Sequence, residues 1–173
     1  MSKSAMGIAV TTVTTDQQAP LGFIHVEPAQ SVGDDAGFGE RHWVYVFNDD
    51  GVNAFVAGQI IYRDPSAATN DWWGGTRTPV TVHQSKVICM GVVQHAIAGG
   101  SYGFILQKGV GTILAGSAAL TLDTPFTTGG AGLVPGAAVD YGDDTNGANI
   151  GVVGHTATAI VGGSTGTAWI DCS

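Results

Sequence analysis

The sequence predicts an all-β protein: a single β-barrel or β-sandwich, β-tulip-like, with an extended N-terminal arm and long loops. Three observations carry that prediction. Twenty-seven glycines among 173 residues punctuate short runs of Val, Ile, Thr and aromatic residues, as strands joined by tight turns require. No window holds apolar residues at i, i+3, i+4 and i+7 between capping signals, so helix content should be low. The apolar runs are short and bounded by Gly, Pro, Asn or Asp, the punctuation of strands.

Taken in order, residues 1–20 (MSKSAMGIAVTTVTTDQQAP) are Thr-rich and polar, and read as an extended arm that orders only against something else. They hold one Lys but neither the apolar segment nor the cleavage pattern of a signal peptide. Residues 21–173 read as one β domain. Its expected strands are 22–27, 42–48, 54–63, 80–84, 87–97, 103–108, 112–115, 119–122, 150–159 and 168–171. Two long loops interrupt them. One is 66–78, SAATNDWWGGTRT, and the other is 124–149, TPFTTGGAGLVPGAAVDYGDDTNGAN. Both are too long for passive connections, which marks them as binding or contact loops. Trp72, Trp73 and Arg77 in the first, with Phe126 and Tyr141 in the second, are the candidate partner contacts, since aromatic and Arg side chains dominate interface hot spots. An internal echo aligns GVNAFVAG at 51–58 with GVGTILAG at 109–116, each between apolar runs, as in a repeated hairpin.

Composition excludes several function classes. Six Lys and Arg face 14 Asp and Glu, and the last basic residue is Lys108. A phosphate backbone needs a basic stripe and an anionic bilayer needs a polybasic patch, so neither nucleic acid nor membrane is an expected partner. No run approaches the ~18 apolar residues of a membrane span. Charged residues make up only 12% of the chain. A surface so poor in charge suits a protein that hides part of it in an assembly. The two cysteines cannot form a disulfide framework. Cys89, in KVICMGVV, reads as a small buried hydrophobe, and a bridge to Cys172 would need an oxidising compartment.

Three motifs suggest chemistry, and each reads better as structure. Gly99-Gly-Ser101-Tyr-Gly103 fits the G-x-S-x-G nucleophile elbow, with Asp140 and His155 downstream in hydrolase order. The elbow needs a helix after the Ser, yet an apolar strand follows here, and GGSTG at 162–166 repeats the pattern before another strand. Ser101 therefore reads as a turn hydroxyl between two strands, and no catalytic residue is assigned. GVGTILAG lacks both the spacing and the Lys-Ser/Thr pair of a phosphate loop. The five histidines are scattered without ligand spacing. Asp143-Asp144 offers oxygens to calcium but lacks the EF-hand glycine and terminal acid, so it reads as a solvated turn. No metal and no cofactor are expected.

From Glu40 onward the chain carries GERHWVYVFND, AFVAGQIIYRD, GVVQHAIAGGSYGFILQKGVGTILAG, GAAVDYG, IGVVGHTATA and TAWIDC in that order. In these segments it resembles the small β-rich virion proteins of tailed bacteriophages, in particular capsid decoration (cement) proteins. The resemblance implies a non-enzymatic structural protein, made in the host cytoplasm and placed on the capsid exterior of the virion. Its partner would be the major capsid protein lattice, with self-association as a homotrimer or homodimer. The alternative is a tail, neck or head-fibre adhesin whose Trp72, Trp73 and long loops bind host-surface glycans.

Overall fold

Ten strands and no helix make up the described residues of the computed structural model, which are 7–29, 39–63, 73–77, 89–128, 134–142 and 151–173. The strands are β1 (Ile24–Glu27), β2 (Arg41–Asn48), β3 (Ile60–Arg63), β4 (Gly74–Thr76), β5 (Cys89–Val92), β6 (Tyr102–Leu114), β7 (Pro125–Thr128), β8 (Ala138–Asp140), β9 (Gly154–Thr156) and β10 (Thr165–Asp171). The expected strand at 80–84 lies outside the described residues.

Five strands close a barrel in the order β2-β4-β3-β5-β6, with β6 returning to pair with β2. Only β2–β4 in this ring is parallel. β1 adds to the outside of β2. β6 then continues past the first barrel into a second ring, β6-β10-β9-β7-β8, which closes through a parallel bridge from Ala138 to Ala115. Lys108 marks the junction, paired with His42 of β2 and with Asp171 of β10.

The two rings repeat one another pairing by pairing. Phe47 opposite Tyr102 corresponds to Leu114 opposite Thr165. Ile61 opposite Gly91 corresponds to Phe126 opposite Gly154. Arg63 opposite Gly75 corresponds to Thr128 opposite Ala138, and Val92 opposite Leu106 to His155 opposite Trp169. The parallel closures match too, Asn48–Gly75 with Ala115–Ala138, as do the isolated bridges Phe55–Ile97 and Leu120–Ile160. One sequence signature survives at equivalent places: Ile-x-Gly-Gly-Ser-x-Gly at 97–103 and at 160–166. Its first glycine is required sterically. A Cβ at Gly99 would lie 2.2 Å from the Gly51 carbonyl oxygen, and one at Gly162 would lie 2.2 Å from that of Ser117. The echo between 51–58 and 109–116 is therefore out of register. Residues 109–114 belong to β6, whose second half takes the place of β2.

Gly109 explains a second correction. The expected strands 103–108 and 112–115 form one continuous strand, not a hairpin. Gly109 adopts φ +117, and a Cβ there would meet the Glu40 carbonyl oxygen at 2.7 Å. Glycine thus permits close backbone approach beside the register shift at His42/Trp43 instead of reversing the chain. The long loops are corrected as well: 66–78 contains β4, and 124–149 contains β7 and β8.

The interior of the first barrel is filled by Val44, Val46, Phe55, Ile61, Met90, Val93, Ile97 and Ile105, all 0% exposed. Because side chains alternate along a strand, the outer face of the same strands carries Trp43, Tyr45, Ile60, Tyr62, Val92, Phe104 and Leu106. These join the interior of the second barrel (Ile113, Leu120, Phe126, Val153, Ile160, Ala168, Ile170) in one continuous core. The N-terminal arm covers the rest of that outer face. Val10 and Ala19 are buried there, with Ile8, Leu21 and Phe23 packed alongside. Phe23 meets Phe104 edge-on at 6.4 Å, and the Gln18 amide donates to the Tyr45 hydroxyl at 3.1 Å. From residue 7, what orders the arm is the chain's own first barrel.

Candidate functional site: an interaction surface

The repeat supplies an internal control for what an uncovered face looks like. Across the outside of the first barrel, Trp43, Leu106, Val92 and Ile60 lie side by side on adjacent strands and are 0–5% exposed. The equivalent row on the second barrel is Val110, Trp169, His155 and Pro125, set by the registers of β6, β10, β9 and β7. Among the described residues its centre, Trp169 and His155, is exposed, while Val110 and Pro125 at its ends are half-buried. Trp169 is 42% exposed, although its neighbours Ala168 and Ile170 point inward and are fully buried. Tyr141, 40% exposed, extends the row, its amide donating to the Pro125 carbonyl at 3.0 Å.

Around this apolar row the aromatic outer positions of the first barrel become threonines. Thr112, Thr127, Thr165 and Thr167 stand where Tyr45, Tyr62, Tyr102 and Phe104 stand in the first. Thr165 is exposed and Thr112 and Thr167 are half-buried, so their hydroxyls give the row a polar margin, as at the rim of an interface, whereas Thr127 is buried. His155 pairs with Asp123 at 3.6 Å, both solvent-exposed. No Lys or Arg follows Lys108, so the basic side chain within the row is His155. The chemistry of this face is contact: large apolar area, the Trp169 indole N–H and the His155 ring. Val52, Leu122 and Val161 expose further apolar side chains at turns.

The structure distributes the expected contact residues rather than gathering them. Trp72 lies outside the described residues. Trp73 is half-buried against the first barrel's interior cluster, beside Gly22 and with the Arg63 guanidinium 4.2 Å from its ring centre. Arg77 pairs with Asp50 through Nε at 3.0 Å, and its backbone amide faces the same carboxylate oxygen. Phe126 is 0% exposed and fills the second barrel, a core position rather than a surface one. Of the four that are described, Tyr141 alone stands at the exposed row. Trp169, the centre of that row, was absent from the expected contacts. Its signal was the alternation in Ala168-Trp169-Ile170, which sends the indole to the face opposite the core.

Ser101 is buried, and its amide closes the turn on the Ala98 carbonyl at 3.1 Å. Its carbonyl accepts from the Asn48 amide at 2.8 Å. Asp140 and His155 belong to β8 and β9 of the other barrel. In the repeat, Ser164 closes the equivalent turn on Val161 at 3.0 Å. The two elbow-like motifs are thus one turn used twice. Asp143-Asp144 lies outside the described residues. Asp49-Asp50 does not, and Asp50 is engaged by Arg77.

No family model matches the sequence, and no curated protein matches it. Among solved structures, the chain is similar to the crystal structure of the head fiber gp8.5 N base in bacteriophage phi29. The likeness has a TM-score of 0.49 and 13% sequence identity, and covers 76% of this chain and 94% of that chain. Likeness of that degree says nothing of what this chain does.

Proposed function

We propose that this chain is a non-enzymatic virion structural protein of a tailed bacteriophage. It docks on the outside of the assembled capsid and stabilises contacts between neighbouring major capsid subunits. The observation that carries the reading is the row Val110–Trp169–His155–Pro125: one half of a repeated fold buries this face, and among the described residues the other half leaves its centre, Trp169 and His155, exposed. The resemblance of the segments from Glu40 onward to phage decoration proteins supplies the class of partner.

The mechanism is mechanical. A closed barrel with a fully buried interior resists shear, because separating its strands breaks ladder hydrogen bonds and exposes core together. The continuous core joins the second barrel to the first, so a load on the exposed row is borne by the whole chain. Burying apolar surface on a capsid subunit contributes roughly 25 cal/mol per Å² before the cost of association. Self-association as a homotrimer or homodimer would add avidity across lattice points. The formal charge of -8 suits a surface turned towards solvent and away from packaged DNA.

Sedimentation of the purified protein with expanded capsids tests the proposal. Saturable co-sedimentation, and presence of the chain in purified virions, is the expected result; absence from both overturns it. The competing adhesin reading predicts signal on a glycan array instead. Trp73 is a poor sugar platform for that reading, because Arg63 and Gly22 already occupy its surroundings.

A further inference from the structure

Cys89 opens β5 on the outer face of the first barrel, and Cys172 follows β10 at the end of the second. Both are buried and unbridged. Their sulfur atoms stand 2.7 Å apart although the residues are 83 positions apart in the chain. The backbone holds both ends of this approach. Cys89 is paired with Tyr62 of β3, the Cys172 amide donates to the Gln107 carbonyl at 2.9 Å, and the Asp171 amide donates to Val153 at 2.9 Å. A disulfide needs S–S of about 2.05 Å with side chains converging from backbones already in place. The 2.7 Å separation is short enough that a small side-chain adjustment reaches the bonded distance. The repeat shows that the site is particular to this junction, since Val152 and Gly109 stand at the equivalent places.

We propose that Cys89 and Cys172 form a disulfide that locks the second barrel onto the first. The oxidant is a small-molecule disulfide such as oxidised glutathione. The Cys172 thiolate, on the more exposed of the two residues and next to exposed Ser173, attacks one sulfur of the reagent and expels a first thiolate. Cys89 sulfur then attacks Cys172 sulfur, forming the protein S–S bond and expelling the second thiolate. The two protons leave with the two released thiols, so the protein loses two electrons and the reagent gains them. The closed loop contains β5 to β10, so opening the second barrel no longer frees its strands from the first. The bond forms inside one chain whatever the chain's partner, so this inference goes beyond the proposed function and stands without it.

The test compares one protein in two states. The full chain is reduced with dithiothreitol or exposed to oxidised glutathione and then freed of reagent. Intact mass, thiol titration after unfolding, and thermal unfolding are measured on both. Oxidation should lower the mass by about 2 Da, leave no titratable thiol and yield a peptide linking Cys89 to Cys172. It should raise Tm by roughly 10 °C, as expected for a cross-link closing so long a loop, and dithiothreitol should reverse every change. Glutathione adducts on single cysteines, covalent dimers, or two thiols still titrating after exposure would overturn the proposal. So would a closed bond that leaves Tm unmoved. The reduced wild-type chain is its own reference, so no variant has to fold for the answer to be read.

Discussion

The glycines of the repeated turn divide into two physical kinds. Gly99 and Gly162 have ordinary φ but face backbone at 2.2 Å, so any Cβ must displace a neighbouring strand end. Gly100 and Gly163 face open space but hold φ of +72 and +74. Gly99→Ala or Gly162→Ala should destabilise the chain by about 2–4 kcal/mol, and Gly100→Ala or Gly163→Ala by only about 1 kcal/mol. Urea denaturation of the four variants checks the order, and equal losses would contradict it. His95 supplies the other prediction at this scale. Both its ring nitrogens are buried with no hydrogen-bond partner among the described residues, and desolvation holds its pKa below the ordinary 6.5. Unfolded His95 takes up a proton near 6.5, while folded His95 resists until a lower pH. Stability should therefore be intact above 6.5 and fall as pH drops below it. Thermal unfolding from about pH 8 to about pH 5 should show a steeper acid loss in the wild type than in His95→Gln.

At the scale of elements, the two halves of the repeat finish the same strand edge differently. In the first barrel, Tyr45 exchanges backbone hydrogen bonds with Gly22 and Phe23 as the arm runs into β1. At the equivalent Thr112 no strand arrives among the described residues. The Gln94 side chain takes its place, accepting from the Thr112 amide at 2.8 Å and donating to its carbonyl at 3.0 Å. One side-chain amide thus caps an edge open to pairing with another chain. Gln94→Ala should cost about 1–3 kcal/mol by orphaning both groups, and should speed hydrogen exchange at the Thr112 amide. Unchanged exchange would show that the cap is dispensable. The elements that sequence reasoning found are those whose local pattern decides their state, such as 42–48 within β2 and 103–108 within β6. Those it missed are strands of three or four residues, Gly74–Thr76, Pro125–Thr128 and Ala138–Asp140, with little room for a period. Their pairing partners, not their own residues, make them strands. Gly109 misled for a related reason. A glycine's spelling is the same whether it bends a chain or admits a neighbouring backbone.

For the whole molecule, the acidic balance and the two Gly-Gly-Ser motifs were plain in the sequence, but the duplication they belong to was not. Between the barrels the aromatic outer positions changed to threonine, erasing identity while the registers persisted. The exposed row was legible only in part. Tyr141 stood out as an aromatic in a loop, whereas Trp169 became a surface residue only once β10 was placed between β6 and β9. Docking of this face on a capsid would centre on Trp169. Trp169→Ser removes the centre of the row at a side chain already 42% exposed, so the variant should unfold within a few degrees of the wild type. Val52→Ser, on an exposed turn of the first barrel, serves as the control. The decisive measurement is the affinity of the three proteins for expanded capsids. Trp169→Ser alone should bind at least about tenfold more weakly, and undiminished binding by the folded variant would rule out docking through this row.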